Sequence, residues 1–167
     1  GRFADGTENW QILEVITQGA ANDNSTPSPI VINEIFSRGA DPDFDWIEIY
    51  NNSSSPVDIS GYKIYDGGGQ SGSKPKMEFP ASTSIPANGF IVIVVDDATS
   101  DFPDGSSFGL GSGGEQIWLE NASGTVINTV TFPALTETQS YGRIADGTYN
   151  WQILNTITKG TANSLKK

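Results

Sequence analysis

Residues 45–51 read DWIEIYN, a run in which side chains of opposite character alternate. Ile47 and Ile49 would lie on one face of a strand, with Glu48 on the other. Short runs of this kind recur along the chain, separated by turns rich in glycine, asparagine and proline; they cover residues 29–36, 57–65, 77–80, 90–95, 115–120, 125–132, 140–143 and 151–157. No stretch has a sustained apolar stripe at helical spacing. Together the pattern predicts an all-β sandwich of two sheets.

Three of these runs carry more specific expectations. Residues 57–65 read as one strand that bends at Gly61, because a glycine inside a strand pattern often marks a bend or bulge. Residues 77–80 predict a short edge strand. Phe90–Val95 is apolar on both faces, which predicts a central strand of the sandwich.

The chain repeats part of itself. Residues 1–22 (GRFADGTENWQILEVITQGAAN) match residues 142–163 (GRIADGTYNWQILNTITKGTAN) at a constant offset of 141, with 16 of the 22 positions identical. We interpret residues 1–22 as a duplicate closing-strand segment, residues 23–29 as a linker and residues 30–164 as the body of the sandwich. The duplicate is either the closing strand of a preceding copy or a spare strand with the same pattern.

Composition excludes several classes of function. The chain has 20 acidic and 9 basic residues, a formal charge of −11, and neither cysteine nor histidine. The negative field repels phosphate backbones, so we expect no nucleic-acid partner. No run approaches the roughly 18 apolar residues of a membrane span, so we expect no membrane insertion. Cysteine/histidine zinc sites, thiol catalysis and histidine acid–base chemistry are excluded.

A set of short motifs, in order, resembles the lamin tail domain family. They are residues 32–35 (INEI), 45–51, 58–66 (DISGYKIYD), 85–90 (IPANGF), 113–119 (GGEQIWL), 124–128 (GTVIN) and 140–143 (SYGR). The resemblance implies an immunoglobulin-like β-sandwich of lamin-tail type, here with an extra N-terminal strand segment. It also implies a binding or structural module without a shared catalytic centre. Bacterial members occur in secreted and surface proteins, which suggests an extracellular or cell-surface location in a bacterium.

The duplicate segment suggests assembly. Its apolar residues would pair with an exposed sheet edge of a like subunit or a neighbouring repeat domain; they are Phe3, Trp10, Ile12, Leu13, Val15 and Ile16. A head-to-tail version of this pairing does not close on itself and gives fibres. The alternative is a remnant that folds back on its own chain.

A second hypothesis is an accessory module of a secreted hydrolase or adhesin, with calcium or a glycan as ligand. Asp41, Asp43 and Asp45 alternate in a loop and suit Ca²⁺, although the pattern is not an EF-hand. The acidic loop around residues 96–104 is a weaker candidate. Trp118 and Tyr62 are candidates for stacking on sugar rings, whereas aromatic side chains on strands more often pack against the fold.

Glu34 and Glu48 lie in strands that we expect to be neighbours. Two carboxylates can perform glycosidase chemistry. The more ordinary interpretation is that they satisfy buried backbone groups or are exposed, and no nucleophile or base accompanies them. We therefore expect no enzyme activity and no cofactor other than the calcium considered above.

Overall fold

The computed structural model describes residues 28–39, 44–73, 75–96 and 101–164. These residues form eleven strands and a 3₁₀ turn at Gly69–Ser71. The strands are β1 (Ile30–Phe36), β2 (Trp46–Asn51), β3 (Val57–Asp58), β4 (Lys63–Tyr65), β5 (Met77–Glu78), β6 (Ser84–Ile85), β7 (Phe90–Val94), β8 (Gln116–Glu120), β9 (Val126–Thr131), β10 (Ser140–Arg143) and β11 (Trp151–Leu154). The predicted all-β class is confirmed.

The strands pair antiparallel throughout. The larger sheet has the order β11-β10-β1-β2-β7, a second sheet has the order β5-β4-β8-β9, and β3 and β6 form a separate pair. The inner faces meet in one core whose centre is rich in isoleucine, including Ile32, Ile47, Ile49 and Ile117, all fully buried. Full burial of each such side chain stabilises the fold by about 1.5–3 kcal/mol, which makes the inner faces the main source of stability.

Strand β2 shows how the alternating side chains of the sequence are divided between the two faces of the sheet. Ile47 and Ile49 enter the core, as predicted, while Glu48 points to the other face. All six residues of β2 are buried, so its outer face is covered as well. The candidate functional site consists of the polar groups on this outer face and the segment that covers them.

The prediction of one bent strand over residues 57–65 was wrong. Val57 and Asp58 pair with β6, whereas Lys63–Tyr65 pair with β5 and β8. Gly61 lies between the two parts with a φ of 72°, a left-handed conformation that ends one strand and redirects the chain to the other sheet. The predicted edge strand near residue 77 is confirmed, because β5 lies at the end of its sheet.

The central position predicted for Phe90–Val95 was also wrong. Among the described residues, β7 pairs with β2 alone and ends the larger sheet. Ile93 packs in the core, and Val92 lies on the opposite face close to Gly160. Both faces of β7 are therefore covered by other parts of the chain. The apolar pattern indicates that both faces are covered, and it does not indicate how many strands pair with β7.

A β-bulge interrupts the pairing of β1 with β2. Ile32 is opposite Ile49 and Glu34 is opposite Glu48, so Asn33 is the additional residue on β1. A bulge redirects side chains locally. Here it brings both Asn33 and Glu34 to the outer face, beside Glu48.

Several predictions concern residues beyond those that the structure describes. The duplicate segment 1–22 lies outside the described ranges, with its candidate pairing residues Phe3, Trp10, Ile12, Leu13, Val15 and Ile16. Most of the predicted linker, residues 23–29, lies outside them too, and β1 begins at Ile30. The division of the chain into duplicate segment, linker and body stays a prediction.

Candidate functional site

The outer face of the larger sheet carries a buried polar surface. We name it the polar floor: the backbone carbonyl of Ile32 and the side chains of Asn33, Glu34 and Glu48. All three side chains are fully buried. Burying a carboxylate is costly unless hydrogen bonds replace its water, so two adjacent buried carboxylates require dedicated donors.

Residues 142–163, which we name the closing segment, supply most of those donors, and the Ser140 hydroxyl just before them donates to Glu34 Oε1 at 2.5 Å. The backbone N–H of Thr158 donates to Glu34 Oε1 at 3.1 Å, and the Thr158 hydroxyl donates to Glu34 Oε2 at 2.8 Å. The N–H of Gly160 donates to Glu48 Oε2 at 2.7 Å. Each carboxylate is thus held by groups more than one hundred positions away in the sequence, and the tail of the chain is fixed across β1 and β2.

Asn33 joins the floor to the turn of the closing segment. Its side-chain nitrogen donates to Glu48 Oε1 and to Asp146 Oδ1, both at 2.9 Å. Its side-chain oxygen accepts from the Gly147 N–H at 3.1 Å, and its backbone carbonyl accepts from the Asn163 side chain at 3.2 Å. Both ends of the closing segment therefore converge on one residue of the bulge.

Arg143 is the buried cation of the closing segment, at the end of β10. Its Nε donates to the Ile32 carbonyl at 2.6 Å, and another guanidinium nitrogen donates to the Thr148 carbonyl. The guanidinium carbon lies 4.7 Å from the centre of the Trp151 ring, a cation–π contact.

The floor perturbs the protonation of its members. Burial raises the pKa of Glu48 to about 7, although bonds from Asn33 and Gly160 favour the charged form; repulsion from Glu34 adds to the rise. Burial also raises the pKa of Glu34, against hydrogen bonds from Ser140 and Thr158. Two like charges side by side in a dry site each disfavour ionisation of the other.

This arrangement gives the carboxylate pair a structural role. Both glutamates accept hydrogen bonds within the fold, which agrees with the ordinary interpretation of the pair rather than with glycosidase chemistry. Chemically, the floor accepts hydrogen bonds from N–H groups, a hydroxyl and a guanidinium that the closing segment presents at the correct spacing.

Of the three calcium candidates, the structure describes only Asp45. Asp45 ties two loops, since its carboxylate accepts from the Gly39 N–H at 2.8 Å and from the Leu110 N–H at 3.0 Å. Asp41 and Asp43 lie outside the described residues. Within the described ranges, no three acidic side chains are grouped so as to hold a metal ion. Calcium binding in this loop stays a prediction.

The glycan candidates are largely packed. Trp118 stacks on Tyr65 with ring centres 6.1 Å apart, and a Cβ built on Gly69 would lie 3.3 Å from its ring. Tyr62 is half-buried against the core. Glycan binding by these two residues stays a prediction.

A further buried carboxylate, Glu120 on β8, was not predicted. Its Oε2 accepts from Lys76 at 2.8 Å, from Tyr65 at 3.0 Å and from Gln70 at 3.3 Å. Burial alone would raise the pKa of Glu120, but these bonds, with Lys76 foremost, lower it. An acidic residue at the end of the apolar run 116–120 was the sequence signal that could have indicated this ion pair.

Comparison with known protein families agrees with the observed fold and with the resemblance seen in the sequence motifs. The model of the Lamin Tail Domain matches residues 23–134, about two thirds of the chain. The chain belongs to the lamin tail domain family. No curated protein matches it.

Lamin tail domains are non-enzymatic immunoglobulin-like domains, and the family suggests a protein-interaction module. The matched region ends before β10, whereas β10, β11 and the rest of the closing segment complete the larger sheet of this domain. In the parts of the chain described by the structure, no helix has the length and apolar character needed to cross a membrane.

Proposed function

We propose that this lamin tail domain is a non-catalytic module that joins like modules, with residues 1–22 as the joining element. The observation that carries the proposal is that the chain holds two copies of one segment: residues 142–163 close the sandwich, and residues 1–22 repeat 16 of those 22 positions. A segment of this sequence pairs with a lamin-tail sheet in the C-terminal copy. Residues 1–22 are therefore suited to the corresponding sheet of a like subunit or a neighbouring repeat domain.

The chemistry of the module supports joining by backbone pairing. An added strand gains affinity from main-chain hydrogen bonds and register from alternate side chains, here Trp10, Ile12 and their neighbours. Where each module gives its segment to the next, the contact is head-to-tail and produces fibres; a reciprocal contact produces a closed dimer. A net charge of −11 keeps such modules apart unless a specific contact joins them. We place the module outside the cell, on a bacterial surface.

Removal of residues 1–24 tests the proposal. The described sandwich makes its ladders and core among residues 28–164, so the shortened chain should keep its fold and its cooperative unfolding. We expect the complete chain to form species larger than a monomer in multi-angle light scattering and the shortened chain to be a monomer.

The matched control keeps the length and charge but scrambles the order of residues 1–22. If the scrambled and natural chains have the same mass at all concentrations, or if the complete chain is a monomer throughout, the joining function is wrong.

A further inference from the structure

We infer that residues 1–22 of one chain bind the polar floor of a second chain, in the position that the second chain's own closing segment occupies. This inference rests on the proposed function and adds the binding site and its mode, which is exchange of equivalent segments rather than addition at an edge. Equivalent segments that compete for one site are the basis of domain swapping.

The first argument is that the N-terminal copy retains the groups of the closing segment that touch the polar floor. The Ser140 hydroxyl, which also donates to Glu34 Oε1, precedes the closing segment and would stay with the second chain. In the closing segment these groups belong to Arg143, Asp146, Gly147, Thr158, Gly160 and Asn163. The same residue types recur at the offset of 141 as Arg2, Asp5, Gly6, Thr17, Gly19 and Asn22. A strand that only extends a sheet edge needs alternate apolar side chains, and has no use for this polar set.

The second argument is where the two copies differ. The two copies differ at six positions. In the closing segment four of these residues are exposed: Tyr149, Asn155, Lys159 and Thr161. The other two, Ile144 and Thr156, are half-buried. None of these six donates to or accepts from the polar floor in the bonds described above. The substitutions therefore leave the docking groups unchanged.

The third argument is that β7, at one end of the larger sheet, offers little backbone for a new strand. The bonds from Asn51 to Gly89 and from Val95 to Asp45 show that odd-numbered residues of β7 face β2. Of the groups that face away, the N–H and the carbonyl of Val94 are both bonded to Asp101. Among the described residues of this edge, Phe90 and Val92 then remain for pairing, whereas the floor offers a full set of buried acceptors once the second chain's own closing segment has left it.

A disulfide reports which segment occupies the floor, because the chain has no native cysteine. A Cβ built on Gly147 lies 3.2 Å from the Cβ of Asn52, slightly below the roughly 3.5–4.5 Å that disulfides need, so a small backbone shift would allow the bond. In the N-terminal copy the equivalent residue is Gly6. We expect the Asn52→Cys/Gly6→Cys chain to form covalent dimers and larger species under mild oxidation, with a yield that rises with protein concentration.

The matched control is Asn52→Cys/Gly147→Cys, which should give an intramolecular bond at all concentrations. Should cysteine prove incompatible with this glycine position in the control, a second pair of variants decides the matter. Thr17→Val/Gly19→Pro removes donors that the floor requires and should weaken association by about tenfold or more. Glu8→Ala/Glu14→Ala, at positions where the copies differ, should leave association unchanged.

Each outcome is decisive. Covalent dimers of the Gly6 chain, or selective loss of association in the Thr17/Gly19 variant, support exchange at the polar floor. An intramolecular disulfide in the Asn52→Cys/Gly6→Cys chain overturns exchange at the polar floor. The same holds if this chain forms no disulfide while the Asn52→Cys/Gly147→Cys control does. If removal of residues 1–24 still abolishes association, the proposed function stands while the site is wrong; if removal has no effect, both are wrong.

Discussion

Replacing Glu48 with glutamine should change how stability depends on pH. Burial raises the pKa of Glu48 from 4.5 to about 7, so the folded protein holds the proton more tightly than the unfolded chain does. The stabilising contribution of the protonated group is fully present below about pH 4.5 and is lost as the pH rises through about 7. Ionisation of Glu48 therefore weakens the fold on the alkaline side.

The magnitude follows from the size of the shift. A rise from 4.5 to about 7 corresponds to roughly 3 kcal/mol of unfolding free energy between the two pH limits. Glutamine does not titrate, but it keeps only one of the two acceptor oxygens used by Asn33 and Gly160. The loss of one acceptor should cost about 1–3 kcal/mol at acidic pH. The stability deficit of the variant should therefore shrink by up to roughly 3 kcal/mol between about pH 5 and about pH 8.

Urea unfolding followed by tryptophan fluorescence at a series of pH values measures this difference. Glu78→Gln is the matched control, because that carboxylate lies on the short edge strand β5 with a side chain that is 56% exposed. Some pH dependence should persist in the Glu48 variant, since the pKa of Glu34 is raised too. Parallel pH profiles of the wild type and the Glu48→Gln variant would refute the role assigned to the buried pair.

Three further substitutions test other parts of the fold by urea unfolding. Gly114→Ala should destabilise by about 2 kcal/mol or more, because its Cβ would lie 2.3 Å from a backbone oxygen at a φ of 86°; Gly113→Ala, with open space around it, should be nearly neutral. Asn51→Asp should cost about 2–4 kcal/mol, since the buried side-chain nitrogen donates to three backbone carbonyls. Lys76→Met should cost about 1–2 kcal/mol by removing the 2.8 Å partner of Glu120; a shift within 0.3 kcal/mol, roughly the error of such measurements, would contradict the importance of that pair.

The sequence predicted most strands because their apolar side chains alternate locally. It failed over residues 57–65, where the change of sheet depends on the left-handed conformation of Gly61 and on the partners that each half meets. It also failed on the position of β7, because a strand covered on both faces has the same composition whether or not a further strand lies beside it.

The polar floor could be predicted only in part. Glu34 and Glu48 were recognisable as a pair because both are acidic residues within apolar strands. Their donors were not recognisable, since Thr158 is 124 positions from Glu34 and Gly160 is 112 positions from Glu48. The bulge that brings Asn33 to the same face depends on strand register, which the local pattern does not determine.

The most direct test of the central claim is whether a peptide of residues 1–22 binds the domain at the polar floor. The peptide would carry a fluorescent label and be titrated, by anisotropy, with the chain that lacks residues 1–24 and bears Gly160→Pro. In that chain no N-terminal copy competes for the floor, and the closing segment loses its bond to Glu48. We predict saturable binding that an unlabelled peptide of residues 142–163 displaces, and at least about tenfold weaker binding of a labelled peptide with Thr17→Val and Gly19→Pro. A flat titration, or binding that the second peptide does not displace, would contradict the claim that the two segments are interchangeable ligands of one site.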